Sequence, residues 1–153
     1  MPDASDHALE LSIQCAAPVT ACPVDRRRIR RWAQGALQRD AQLTIRFVGS
    51  REARALNGAY RGRDYATNVL TFSYDHDSAD IVICVPVVER EARAQRKPFD
   101  HHLAHLVIHG VLHAQGFDHE QDDDAARMES LEIDLLRRFR IPDPYHGTGQ
   151  RIG

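Results

Sequence analysis

The segment DHHLAHLVIHGVLHAQGFDH, residues 100–119, predicts a helix that the rest of the chain must cover. Its apolar residues recur at spacings of three and four and extend around almost the whole circumference, a pattern typical of a buried helix. Asp100 is the expected N-cap, because its carboxylate can accept hydrogen bonds from the first N–H groups. Gly116 is expected to end the helix in the left-handed conformation.

Four histidines of this helix, at 101, 105, 109 and 113, recur one turn apart. Neighbouring rings at i and i+4 lie on one face, about 6 Å apart along the axis, so two imidazoles can converge on one metal ion. Three in a row cannot, because His105 and His113 are separated by about 12 Å of axial rise. The sequence therefore predicts a metal pair of His105 with His109, or of His109 with His113.

Only the second pair is followed by a glycine turn and another histidine. Gly116 lets the chain reverse, so His119 can return as a third ligand. Three neutral imidazoles plus a water form a tetrahedral zinc site with one exchangeable position, which is typical of catalytic sites. The alternative is a group of core or surface histidines without a metal. With zinc bound, His101, His102 and His105 are structural or support the ligands.

A zinc ion in such a site lowers the pKa of its water from about 15.7 toward 7, which enables hydrolysis of an ester, amide or phosphodiester. Zinc peptidases of related layout carry Glu directly after the first His as the general base, but this chain has Gly110 there. The sequence therefore disfavours a peptidase, because the catalytic glutamate is missing. Asp118, beside His119, is a candidate acid or base or a support for a ligand ring, and its alternative is a turn residue.

The remaining chain alternates between strand and helix patterns. Asp25 and Ser50 are the expected N-caps of two helices, and Pro86 fits the first turn of a third. The continuous apolar run at 80–85 predicts a central strand covered on both faces. Residues 142–153 are predicted to be a loose tail. Strands are expected around 9–13, 43–47, 69–74 and 80–85, and helices around 26–37, 50–59, 86–95, 100–116 and 122–139.

Length and charge bound the class of protein. A chain of 153 residues is the size of one domain, and its net charge of −2 excludes binding of nucleic acid through overall basicity. The charge is unevenly distributed, because residues 26–63 hold eleven Arg against two acids, a local charge of +9, while residues 117–143 hold nine acids against four Arg, a local charge of −5. One part of the molecule is thus expected to attract polyanions. The alternative is that these arginines are ordinary solvated surface.

Cysteine usage and hydropathy favour a cytoplasmic protein. The three cysteines are odd in number and lack CxxC spacing, which fits a reducing compartment. The chain has no apolar run long enough for a membrane span, and its first residues lack the basic and apolar regions of a signal peptide.

Three segments together resemble one family. They are HGxLHxxGxDH at 109–119, LNxxYRGxDxxTNVLTF at 56–72 and MESLE at 128–132. From about residue 29 to 145 the chain resembles the bacterial YbeY family of ribosomal RNA maturation factors.

The resemblance implies a single α+β domain spanning residues 1–153. With the elements above, this is a roughly four-stranded mixed sheet packed by about five helices around the HxxxH helix. It implies one zinc per chain, held by His109, His113 and His119, with His113 acting in catalysis through the metal. It further implies an endoribonuclease specific for single-stranded RNA, with Arg61 as the important arginine and Arg61 and Arg63 contacting RNA. Its cellular role is 3′-end maturation of a 16S rRNA precursor and quality control, with the small ribosomal subunit and assembly proteins as partners.

Three alternatives stay open at this point. One is a zinc hydrolase of peptide or amide bonds, which Gly110 disfavours. Another is a non-enzymatic ribosome assembly factor whose metal is structural. For Arg61 the alternative role is a structural ion pair with Asp64. The oligomeric state and the cleavage site are not indicated by the sequence.

Overall fold

A computed structural model describes residues 6–117 and 121–145 of the chain. Within them the predicted alternation of strands and helices is confirmed, with boundaries shifted by at most two residues. The elements are β1 Leu9–Cys15, α1 Arg26–Gly35, β2 Ala41–Val48, α2 Ser50–Arg61, β3 Val69–Asp75, β4 Ser78–Cys84, α3 Val85–Ala94, α4 Phe99–Ala114 and α5 Asp122–Arg138.

The four strands form one mixed sheet in the order β1-β2-β4-β3. β1 and β2 are parallel, as are β2 and β4, whereas β3 is antiparallel to β4 and lies at the edge. The short turn between β3 and β4 permits antiparallel pairing, while the parallel neighbours are joined through helices, as parallel strands require. This sheet and the five helices of the described residues confirm the predicted α+β class.

Helices cover both faces of the sheet. Along β4 the side chains alternate, so Ile81 and Ile83 pack into the core that contains α1, α4 and α5, while Val82 and Cys84 pack with α2 and α3 on the other face. The continuous apolar run predicted to be a central strand is therefore confirmed as one that is buried on both sides. We call these the α4 face and the α2 face of the sheet.

Helix α4 is the centre of the larger core. Twelve of its sixteen residues are buried, because apolar side chains occupy nearly its whole circumference. Gly110 lies close against the sheet: a Cβ there would lie 2.7 Å from Cγ2 of Ile81. The helix can therefore lie this near β4 only where the residue has no side chain.

Two of the predicted helix-end residues are confirmed and two are not. Asp25 caps α1 by accepting from Arg27 N, and Gly116 follows α4 with a φ of 97°, so both predictions are confirmed. The N-cap of α2 is Gly49 instead of Ser50, and neither α2 nor α4 has a side-chain cap. At α4 the N-cap is Pro98, because the Asp100 carboxylate binds Arg28 Nη2 of α1 at 2.7 Å. A contact between two elements has thus taken the group that local sequence assigned to the cap.

Candidate metal centre

The histidines of α4 form a row that runs toward its carboxyl end. Ring centroids of His105 and His109 are 6.4 Å apart, and those of His109 and His113 are 6.2 Å apart. These values match the spacing expected of one helical turn. His109 is buried, whereas His113, at the last turn, is partly exposed. The row therefore leads from the core to the surface at His113.

A buried carboxylate on α5 organises this row. Glu132 is 0 % exposed, and its Oε1 is 2.5 Å from His105 Nε2 and 2.6 Å from the Tyr145 hydroxyl. Its Oε2 is 3.0 Å from His109 Nδ1. Burial raises the pKa of Glu132, but hydrogen bonds from His105 and His109 outweigh it and lower the pKa to about 2. Glu132 is thus an ionised carboxylate that only accepts hydrogen bonds.

An acceptor-only carboxylate fixes the protons of its neighbours. His105 must donate from Nε2 and His109 from Nδ1, because an ionised carboxylate has no proton to give. Burial lowers the pKa of His105, against the opposing hydrogen bond to Glu132, so this ring is neutral. In the described part of the chain Nδ1 of His105 has no hydrogen-bond partner, which fits a lone pair there. His109 in its neutral form accordingly carries its lone pair on Nε2.

His113 is held in the same tautomer by a different group. Its Nδ1 lies 2.8 Å from the carbonyl oxygen of Phe117, which can only accept, so the neutral ring has its lone pair on Nε2. His109 and His113 thus both place Nε2 as the ligand nitrogen and tie Nδ1 to a protein oxygen. This arrangement is typical of histidines that bind metals. The donor set of these two residues fits zinc, which prefers neutral imidazole nitrogen.

The third predicted ligand cannot be placed. His119 and the candidate acid or base Asp118 lie outside the described residues. Among residues 6–117 and 121–145, no three His, Cys, Asp or Glu side chains are grouped to hold a metal ion. The structure therefore brings together the pair His109 and His113, and the three-histidine site stays a prediction.

Gly110 bears on the peptidase alternative. The position after the first ligand histidine is where zinc peptidases of related layout carry their catalytic Glu. Here that position faces Ile81 of β4, and even a Cβ would be 2.7 Å from its side chain. A carboxylate at this place would enter the core, away from any substrate. The packing thus gives a physical reason why this helix carries no peptidase base after His109.

The predicted RNA-contacting arginines lie elsewhere. Arg61 is the last residue of α2 and is exposed, and Arg63 follows in the loop, with Nη1 3.3 Å from the Tyr65 hydroxyl. Helix α2 packs on the sheet face opposite α4. The structural ion pair considered for Arg61 is absent from the described residues, because the Asp64 carboxylate binds Arg54 Nε at 2.7 Å.

A second carboxylate supports the amino-terminal half of α4. Glu91 of α3 lies 2.9 Å from His102 Nε2 and accepts from Asn68 Nδ2 at 3.1 Å. Burial raises the pKa of Glu91, but the hydrogen bonds from His102 and Asn68 outweigh it and hold that pKa below its ordinary value. His102 and His105 therefore each contact a carboxylate on a neighbouring helix.

Two residues of the network were missed by sequence reasoning. Glu132 lies four residues after Met128 on the core face of α5, so an acid on an apolar face was the available signal. Tyr145 lies in the stretch predicted to be a loose tail, yet its hydroxyl donates to Glu132. No local pattern marked Tyr145, because its role depends on a contact between residues thirteen positions apart.

Comparison with known proteins identifies relatives over most of the chain. A family model described as Endoribonuclease YbeY matches residues 18–140. An Endoribonuclease YbeY of Thiobacillus denitrificans is 52% identical over 143 residues, covering 90% of this chain and 97% of that relative. One of Aromatoleum aromaticum is 57% identical over 120 residues, covering 76% and 78%.

A solved structure shares the fold. The solution structure of a Thermotoga maritima protein superposes with a TM-score of 0.56 at 23% identity, covering 92% of this chain and 99% of that one. At this identity the match supports the fold alone. In the described residues, no helix combines the length and apolar character needed to cross a membrane.

Proposed function

The chain belongs to the endoribonuclease YbeY family, and on this basis we propose that it is a zinc-dependent endoribonuclease acting on single-stranded RNA. One zinc ion per chain would be held by His109, His113 and His119. The observation that carries the metal assignment is the shared tautomer of His109 and His113, each with Nδ1 bound to a protein oxygen. Bound zinc would supply Lewis acidity, lowering the pKa of a coordinated water and polarising a phosphoryl oxygen.

The protein side chains around this site have separate roles in the proposal. Glu132 orients His109 and raises the basicity of its ligand nitrogen by accepting from Nδ1. Arg61 neutralises charge that develops on the scissile phosphate, a role suited to a guanidinium. Its exposure, together with the pairing of Asp64 to Arg54, supports this role over a structural ion pair. Arg63 binds the RNA backbone, and Asp118 is the candidate acid or base.

The proposed cellular role is 3′-end maturation of the 16S rRNA precursor and quality control of the small ribosomal subunit. Membership of the family supports this role, as does the +9 segment at residues 26–63. The expected partners are the precursor RNA, the small subunit and its assembly proteins, in the cytoplasm. The free cysteines Cys15, Cys22 and Cys84 fit a reducing compartment.

The test measures metal content and cleavage of single-stranded RNA on the same preparations. His113→Ala is expected to lose both zinc and cleavage, because it removes a ligand. Arg61→Ala should retain zinc and lose cleavage by about tenfold or more, because it removes charge at the phosphate. The matched control is His76→Ala, which removes an exposed histidine of the β3–β4 turn and should change neither quantity.

Three outcomes would contradict the proposal. Loss of zinc in His113→Ala without loss of cleavage would point to a contaminating nuclease. Cleavage of RNA by Arg61→Ala at the wild-type rate would remove Arg61 from the mechanism. A lowered melting temperature in His113→Ala, with no cleavage by any variant or by the wild type, would favour an assembly factor with a structural metal.

A further inference from the structure

Three tyrosines stand out on the surface of the α2 face. Tyr60, Tyr65 and Tyr74 are 68%, 51% and 66% exposed, and they are the large hydrophobic side chains exposed among the described residues. All three fall within fifteen residues of sequence, at the end of α2, in the following loop and on β3. Large aromatic rings exposed together on one part of a surface mark an interaction site.

Two of these rings, those of Tyr60 and Tyr74, are held in place although they are exposed. Tyr60 packs edge-on against Phe72 with ring centroids 4.9 Å apart. The Tyr74 hydroxyl donates to Asp80, and Asp80 lies opposite Phe72 in the β3–β4 ladder, which puts the Tyr74 ring on the same side of the sheet as Phe72. Tyr74 is also the extra residue of a β-bulge between Ser73 and Asp75. A bulge at an edge strand re-aims a side chain.

A cationic groove continues from these rings. It lies between α2 and α3, has a volume of about 780 Å³, and is lined by Arg51, Arg54, Arg90, Asp64 and Tyr65 among others. Three arginines against one aspartate leave a local charge of +2. Asp64 is paired with Arg54, and within residues 6–117 and 121–145 neither Arg51 nor Arg90 forms an ion pair. The groove therefore presents two guanidinium groups that are not held in ion pairs beside an exposed ring.

Three of the five arginines of α1 behave differently. Arg26 donates to the carbonyl oxygen of Ile13, Arg30 donates to that of Leu9, and Arg28 binds Asp100. These side chains hold α1 to β1 and α4. The positive charge of residues 26–63 is thus divided between arginines that fasten elements of the fold and arginines that face solvent, such as Arg31 of α1 and Arg51 of α2.

We propose that the α2 face is the docking surface for the single-stranded RNA substrate, an inference that rests on the proposed function. Tyr60, Tyr65 and Tyr74 stack on unpaired bases, and Arg51 and Arg90 bind backbone phosphates. Stacking rings beside a positively charged groove are the usual composition of single-strand binding surfaces. Paired bases present no open faces to such rings, so this surface selects single strands over duplex RNA.

The position of this surface also bears on how bound RNA reaches the histidines. The tyrosines and the groove lie on the α2 face, whereas His109 and His113 lie on α4, on the other face. β3 is the edge strand between them. RNA bound to the α2 face must therefore leave that face to reach the histidines, and in the proposal it does so around the β3 edge, because the segment with Arg61 and Arg63 leads into β3.

The test measures binding separately from cleavage. A fluorescein-labelled single-stranded RNA of about 12 nucleotides, within the usual site sizes, is titrated in the His113→Ala background by fluorescence anisotropy. Tyr65→Leu and Tyr74→Leu should each weaken binding about tenfold, because a base–aromatic stack is lost. Tyr65→Phe and Tyr74→Phe are the matched controls that keep the ring and should stay close to wild-type affinity.

The arginines are tested by salt dependence. Each phosphate contact on a single strand contributes about −0.7 to the slope of log K against log salt, so Arg51→Gln/Arg90→Gln should reduce the slope by about 1.4. Arg31→Gln, an exposed arginine of α1, is the control and should leave the slope unchanged. Circular dichroism melting verifies that each variant is folded.

Specific results would overturn the docking surface. They are wild-type affinity in the Leu and Gln variants, loss of affinity in the Phe variants equal to that in the Leu variants, or equal affinity for duplex RNA of the same sequence. If cleavage still depends on His113 in that case, the proposed function stands and only the docking surface fails. If His113→Ala cleaves normally while the Leu variants lose binding, the metal mechanism fails and the docking surface stands.

Discussion

Glu132→Gln is the most informative single substitution, because it changes the chemistry of the histidine network with almost no change in volume. The wild-type carboxylate accepts from His105 and Tyr145 on Oε1 and from His109 on Oε2. An amide has one accepting oxygen and one donating nitrogen. If the amide oxygen occupies the Oε1 position, its NH₂ group faces the N–H of His109. His109 must then move its proton to Nε2, which is the nitrogen expected to bind zinc.

The magnitude follows from what the substitution removes. A hydrogen bond to a charged group contributes about 1.5–3 kcal/mol, and the amide forfeits one such bond and weakens two. The neutral amide is easier to bury, which offsets part of the loss. We therefore expect the free energy of unfolding of the metal-free protein to fall by about 2–4 kcal/mol. Zinc affinity should fall about 10- to 100-fold, as for other groups that orient a metal-bound histidine.

The assay separates these two effects. Urea unfolding of the metal-free protein reports stability, and competition with a chromophoric chelator reports zinc affinity. Asp134→Asn on the same helix is the matched control, because Asp134 is 64% exposed and forms only a loose ion pair, with its Oδ1 3.8 Å from Arg137 Nη1. The control should change stability by less than about 0.5 kcal/mol, as expected for an exposed pair.

Two results would each contradict one of the roles assigned to Glu132. If Glu132→Gln unfolds in urea as the wild type does, the carboxylate does not hold α5 to α4 through its hydrogen bonds. If stability falls but zinc affinity stays at the wild-type value, the network stabilises the fold without setting the tautomer of His109. Stability and zinc affinity thus report on the two roles of Glu132 separately.

Two further predictions concern stability. Gly110→Ala should destabilise the protein by about 1–3 kcal/mol, because the new methyl group overpacks against Ile81. Gly58→Ala in α2 is the control: its Cβ would make only an ordinary contact at 3.6 Å, so it should stabilise the protein by about 0.5–1 kcal/mol. Equal melting temperatures for the two variants would contradict the close approach of α4 to β4. The pKa of Glu91 is held below its ordinary value of 4.5, so its stabilising contribution is present above that pH and is lost as pH falls through the lower folded-state value. Glu91→Gln should therefore flatten the fall in the free energy of unfolding, measured by urea unfolding, as pH drops below about 4.5. A fall of the same steepness in the variant would show that the contact between Glu91 and His102 does not stabilise the fold.

Much of the fold was predictable because it is encoded locally. The period of the apolar residues predicts each strand and helix, and the circumference of apolar residues on α4 predicts its burial. Gly116 was identifiable because a left-handed residue after a helix strongly favours glycine. Helix geometry limited a metal pair to His105 with His109 or His109 with His113, and only the second pair is followed by a glycine turn and another histidine.

Other features depend on groups that meet only after folding. Asp100 is a good N-cap by local rules, but Arg28 of a distant helix binds its carboxylate. Glu132 and Tyr145 acquire their roles by contact with His105 and His109 of another helix, which no spacing along the chain encodes.

The elements, the burial of α4 and the one-turn spacing of its histidines are predictable from the sequence, because they follow from periodicities within a few residues. Three features depend on the tertiary structure. They are the tautomers of the histidines, the division of the arginines between fastening the fold and facing solvent, and the separation of the tyrosines and histidines onto opposite sheet faces. Each depends on which residues, distant in sequence, the packing of helices on the sheet brings within hydrogen-bond distance. Local physical chemistry fixes what a segment forms, and the packing of segments fixes which polar groups meet.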